Sequence, residues 1–180
     1  IGTTALQNNR IQGLLSNGFQ IGTAAEVNTS GQTYHWIAFK ASSGDLSVAS
    51  YTGNGAASRT VTLGYQPALV WTMAATNQAP IMRSNTQTTS YRFDTTAAAA
   101  NGITALGATG FTVGSSTQAN SNGVEYHYVA WRASSRMATG SYSGNGLDNR
   151  NITGLGFQPQ WTMVRSATAG TRAVHRPASL

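Results

Sequence analysis

The chain has 180 residues, 40% of them hydrophobic, which is enough for one large or two small domains with a genuine core. Only 9% are charged, against about 25% in an ordinary soluble domain, so neutral polar side chains make most of the surface; that usage is commoner in virion and extracellular assemblies than in cytosolic enzymes. The formal charge of +6 comes from Lys40 and ten arginines strung along the chain, without the basic stripe and interleaved aromatics of a nucleic-acid binder, and an acidic protein neighbour or acidic glycan accounts for it equally well.

The absence of cysteine excludes a disulfide framework and thiolate metal sites. No apolar run approaches the roughly 20 residues of a membrane-spanning helix, so no membrane insertion is expected. No signal peptide opens the chain, and the start at Ile1 leads to the expectation of a portion of something longer.

In chain order, the first clear strand is TYHWIAFKA at 33–41. Tyr34, Trp36, Ala38 and Lys40 point one way and His35, Ile37, Phe39 and Ala41 the other. Both faces are largely apolar, as in a central strand covered on two sides. A Ser-rich turn, ASSGD, follows, and then strands at LSVASY, RTVTL, ALVWTMA and PIMRS. The run DTTAAAANGITAL predicts one or two helical turns at Ala97 to Ala100, stopped by Asn101-Gly102. Beyond it lie FTVG and a second two-faced strand, with Tyr126, Tyr128, Ala130 and Arg132 opposed to His127, Val129, Trp131 and Ala133; RMATGSY, RNITGL, WTMVRS and TRAVHR complete the set. Asn-Gly occurs at 17, 54, 101, 122 and 145, each tolerating the positive φ of a tight turn.

Residues 18–43 and 110–135 are two versions of one segment at a constant offset of 92. The match continues through YTGNG at 51–55 and YSGNG at 142–146, then GYQP and GFQP, then VWTM and QWTM. Internal repetition fixes the architecture before any other signal. We therefore expect an all-β chain, an antiparallel β-sandwich or jelly-roll-like fold built by tandem duplication of about 92 residues. The copies divide as 1–92 and 93–180, or, in an alternative frame, as one complete unit at 51–132 flanked by half units that close by strand exchange within or between chains. Gly53, Asn54 and Gly55, and likewise Gly144, Asn145 and Gly146, are expected to turn the chain after the strands that end at Tyr51 and Tyr142.

Chemistry is sparse. The carboxylates Glu26, Asp45, Asp94, Glu125 and Asp148 are isolated from one another and do not occupy matching repeat positions, so no glycosidase pair is indicated. His35 and His127 do match, but neither has a second ligand at metal spacing, and each is expected to be a core or interface histidine that donates to a backbone carbonyl. His175 matches no histidine in the first copy. There is no GxSxG elbow and no phosphate-binding loop, and the Asn-x-Ser/Thr sequences at Asn28 and Asn151 matter only in a eukaryotic secreted protein. We expect no enzyme and no cofactor. The best binding candidates are Tyr34, Trp36, Tyr126 and Tyr128 as a stacking platform for a sugar, with Lys40 and Arg132 at its edge; a buried layer between sheets explains the same aromatics.

The order YTGNG, LGYQPALVW, MRSNTQTT, GFTVG, YHYVAWRA resembles a repeated domain of unknown function found in predicted tail, fibre and other virion-associated proteins of tailed bacteriophages. The likeness covers nearly the whole chain and is best at 51–132. Departures occur where Trp71 is followed by Thr72 and Met73, and Trp131 by Arg132 and Ala133. The resemblance implies a virion setting and a structural role as fibre, tail or capsid-surface component. The expected partners are copies of the chain itself and neighbouring virion proteins. A host-surface glycan fits an adhesin alternative, and an extracellular filament subunit shares the same chemistry.

Overall fold

A computed structural model describes residues 7–96, 98–168 and 170–178. Thirteen strands and one helical turn follow in order: β1 Ile11–Leu15, β2 Gly18–Ile21, α1 Ala25–Asn28, β3 Leu46–Thr52, β4 Arg59–Thr62, β5 Pro67–Ala74, β6 Ile81–Ser84, β7 Ser90–Arg92, β8 Ala98–Ala99, β9 Ile103–Gly107, β10 Gly110–Val113, β11 Glu125–Arg132, β12 Trp161–Val164 and β13 Val174–Pro177. The fold is nearly all-β and its strand pairings are antiparallel. Six strands form one sheet in the order β3-β11-β5-β6-β7-β8, three form another in the order β4-β10-β9, and the hairpins β1-β2 and β12-β13 are two-stranded sheets of their own.

Alternation along β11 organises the larger sheet. Tyr126, Tyr128 and Ala130 are buried on one face, while His127, Val129 and Trp131 are half-buried on the other, so this strand is covered on two sides as its sequence implies. It lies between β3 and β5, with Tyr126 opposite Tyr51 and Trp131 opposite Leu46 on one side and Ala130 opposite Val70 on the other. The inner face contributes Tyr51, Val70, Ile81, Tyr126 and Tyr128 to a core completed by Val61, Ile103, Phe111 and Val113 of the three-stranded sheet. Tyr51 stacks on Tyr126 at 5.4 Å, and Phe111 meets Tyr128 edge-on at 5.3 Å. Each fully buried side chain of this size contributes about 1.5–3 kcal/mol.

The outer face of the same sheet carries a second cluster, Trp71, Met82 and Phe93, and the C-terminal hairpin packs on it through Trp161 and Met163. Among the described residues, the buried members of the hydrophobic core all fall between Tyr51 and Ala130.

Four expectations are corrected. Of the residues predicted helical, Ala97 lies outside the described residues and Ala98–Ala99 form a strand paired with Ser90 and Tyr91, followed by a turn in which Asn101 takes φ 54°. Four alanines are too few to nucleate a helix, and the open edge of β7 offers their backbone partners at once. The strands expected at 33–41, 136–142 and 150–155 do not form; these segments are coil or turn, with an isolated bridge at Met137. Their patterns match those of β11, β3 and β4, but an alternating segment becomes a strand only beside another one.

Candidate functional site

The phrase YTGNG closes β3 onto the loop that precedes β11. The Tyr51 hydroxyl donates to the Ala119 carbonyl at 2.6 Å. Gly53 N–H donates to the Val124 carbonyl at 2.7 Å, an approach so close that a Cβ at Gly53 would collide with the Ser121 carbonyl. Gly55, at φ 71°, lets its own N–H reach the Asn120 carbonyl at 2.8 Å. The fully buried Asn120 side chain completes the clasp: its amide oxygen accepts from Asn54 N–H at 3.0 Å, and its NH2 donates to Asn54 Oδ1 at 3.0 Å and to the Ala56 carbonyl at 2.9 Å. Arg59 lies over the Tyr51 ring at 5.2 Å and donates to the Thr52 carbonyl.

Much of this local geometry recurs at both ends of the chain. The hairpin β1-β2 pairs as β9-β10 does, residue for residue at offset 92: Leu14 faces Phe19 as Leu106 faces Phe111, and the register shifts at the corresponding place. Gly22 N–H donates to the Arg10 carbonyl and Ala24 N–H to that of Asn9, as Gly114 and Ser116 do to Gly102 and Asn101. The Tyr34 hydroxyl donates to the Ala25 carbonyl at 2.6 Å and accepts from Thr29 N–H at 2.9 Å; Tyr126 does the same with Thr117 and Ser121 at 2.7 and 2.8 Å. At the other end Arg150 lies over Tyr142 at 5.5 Å and donates to the Ser143 carbonyl, and Gly146 repeats φ 71°.

The two ends differ from the central unit in what they touch. The Asn28 side chain, at the place of that of Asn120, donates to the Gly22 carbonyl at 2.9 Å. Residues 138–154 are exposed apart from a half-buried Thr139, and among the described residues no asparagine side chain engages Asn145, whose Oδ1 accepts from Leu147 N–H at 3.1 Å.

The aromatic candidates are not brought together. Tyr126 and Tyr128 are inside the core, 0% and 6% exposed, with no ring face left for a sugar, which corrects the four-aromatic platform; Trp36 is 69% exposed and Tyr34 38%. Lys40 and Arg132 are exposed, and Arg132 N–H donates to the Asp45 carbonyl at 2.8 Å. His35 is exposed. His127 is half-buried, and its Nε2 is buried without a hydrogen-bond partner, so the expected donation to a carbonyl does not occur there. His175 stacks on Trp161 at 6.3 Å. Glu26 is held below the usual carboxylate range by its hydrogen bond from Arg10 at 2.5 Å, and Asp94 pairs with Arg92 at 3.1 Å. Among the described residues no group of three or more His, Asp or Glu side chains could hold a metal, and no helix is long and apolar enough to cross a membrane.

Sequence reasoning missed the part played by arginine as a clamp on backbone carbonyls. Arg165 donates to the carbonyls of Arg92 at 2.8 Å and Thr96 at 2.5 Å, tying β12 to the central unit. Arg83 donates to that of Ile103 at 3.0 Å, and its burial pushes its pKa down. These bonds bind several arginines of the excess internally.

The profile of a domain of unknown function, DUF7483, matches residues 41–139, more than half of the chain. The matched span runs from the turn before β3 to the turn after β11. No curated protein and no solved structure matches the chain.

Proposed function

From the premise that the chain belongs to the DUF7483 family, we propose that it is a non-enzymatic structural protein, a fibre, tail or capsid-surface component of a phage-like particle. It works by packing repeated β-sandwich units on one another, on copies of the same chain and on neighbouring particle proteins. The observation that carries this is the outer face of the six-stranded sheet: Trp71, Met82 and Phe93 are covered there by Trp161 and Met163, which belong to the other version of the WTM phrase. A sheet whose two faces are both apolar is built for stacking. The prevalence of uncharged polar side chains fits the same role. A large apolar side chain such as Leu147, 74% exposed, supplies contact area for neighbours.

Sedimentation velocity on the purified chain tests this. A homo-oligomer that persists on dilution is expected, and a chain that stays monomeric at high concentration overturns the proposal. The exposed Trp36 favours one second reading, a glycan-binding module, in which Trp36→Ala abolishes retention on a glycan array; unchanged binding by that variant removes it.

A further inference from the structure

We propose that the two ends of the chain, 9–40 and 137–178, fold together into a second copy of the unit at 46–132, stacked on the first across a pseudo-twofold axis. The inference rests on the tandem repeat within the function proposed above, and not on any particle role.

Each end holds what the other lacks. The N-terminal part has the counterparts of β9, β10, the Asn120 loop and β11; the C-terminal part has those of β3, β4, β5 and β6. Both parts already repeat some contacts of the central unit, as those of Tyr34 and Arg150 at offsets of 92 and 91 record. Transferring the central registers gives definite pairs. From Tyr126 opposite Tyr51 and Val129 opposite Val48 follow Tyr34 opposite Tyr142 and Ile37 opposite Thr139. From Phe111 opposite Val61 follows Phe19 opposite Ile152. Asn28 then clasps Asn145 as Asn120 clasps Asn54. Ile11, Tyr142 and Ile152, exposed by 62%, 49% and 48%, acquire the surroundings that bury Ile103, Tyr51 and Val61.

The geometry points to closure within one chain. Leu46 and Trp131 are paired neighbours, and tight turns bridged at Ser42–Leu46 and Ser134–Met137 carry the chain onward from that spot. The segments 33–40 and 137–143 therefore leave the central unit side by side and antiparallel, at high effective concentration. Residues also meet their own counterparts, the mark of a twofold contact: Phe39 packs on Trp131 at 5.3 Å, and Trp71 on Trp161 at 6.1 Å. His35, Trp36 and Ile37 line one cavity with Trp161, His175 and Pro177, where the counterpart of the β11–β5 pairing belongs.

Two measurements test the closure. In hydrogen exchange on the unaltered chain, amides of 33–40 and 150–153 are expected to be protected on the order of 10²-fold or more, as in β11 and β4; exchange at the rate of an unstructured chain overturns it. The absence of native cysteine allows engineered pairs, Ile37→Cys with Thr139→Cys and Ala38→Cys with Ala138→Cys, in adjacent registers so that one has the close spacing a disulfide needs. Mild oxidation is expected to give an intrachain link at monomer mass in at least one pair, and none in Ile37→Cys with Ser141→Cys. A link found only between two chains, or formed equally in the misregistered pair, refutes it. Sedimentation decides the oligomeric role separately, because closure holds in a monomer and in an oligomer alike.

Discussion

Removing the Asn120 side chain breaks the clasp between the YTGNG phrase and the loop before β11. Asn120→Ala deletes three hydrogen bonds, to Asn54 N, Asn54 Oδ1 and the Ala56 carbonyl, from a residue that is 0% exposed. At about 1 kcal/mol net for each bond the gross loss is about 3 kcal/mol. Asn54 and Ala56 are exposed, so water takes over part of their bonding, while the vacated space around Asn120 adds a packing cost. The expected loss is about 2–3 kcal/mol in urea denaturation followed by tryptophan fluorescence. Asn122→Ala, on an exposed neighbour in the same loop, should stay within about 0.5 kcal/mol. If the two variants lose equal stability, Asn120 does not hold the loop and the structural explanation of the phrase fails.

Gly53→Ala places a methyl against the Ser121 carbonyl and should cost about 2 kcal/mol or more by the same assay; a neutral result would show that β3 and the loop separate freely. Arg165→Met removes the donors to the carbonyls of Arg92 and Thr96, and tryptic cleavage at Arg172 should quicken by about tenfold, one charge-assisted bond's worth; an unchanged rate would mean that apolar packing by Trp161 and Met163 secures the hairpin without it. Burial pushes the phenols of Tyr51 and Tyr128 above the ordinary tyrosine range. Since the folded state disfavours their ionised form, their contribution is complete below about pH 10, where unfolded tyrosine titrates, and is lost as pH rises through the folded pKa values. Stability measured from pH 8 upward should hold level and then fall above about pH 10, less steeply in Tyr51→Phe; an identical slope in that variant contradicts the assignment.

The central strands were legible because each carries its own pattern. ALVWTMA reads as a strand and the alternation of YHYVAW as one covered on two sides, and β5 and β11 are those strands. At 33–41, 136–142 and 150–155 the letters match β11, β3 and β4, but pairing depends on partners that no local window contains. The hairpin at 11–21 was marked only by Asn17-Gly18, since Ile11, Gly13, Leu14 and Leu15 do not alternate. Asn120 sits in TQANSNG among equally polar neighbours, and nothing local distinguishes the one that is buried; the recurrence of asparagine at 28 was the available signal. The arginine clamps were hidden for a similar reason, because a carbonyl acceptor leaves no trace in sequence.

The pairing of Leu46 with Trp131 places the entry and exit of the central unit at one end of an antiparallel pair. A pull applied through residues 45 and 133 therefore peels β3 from β11 one residue pair at a time, instead of loading all seven pairs in shear. Such a unit yields to tension gradually, and its two strands start from adjoining positions when they rejoin on release.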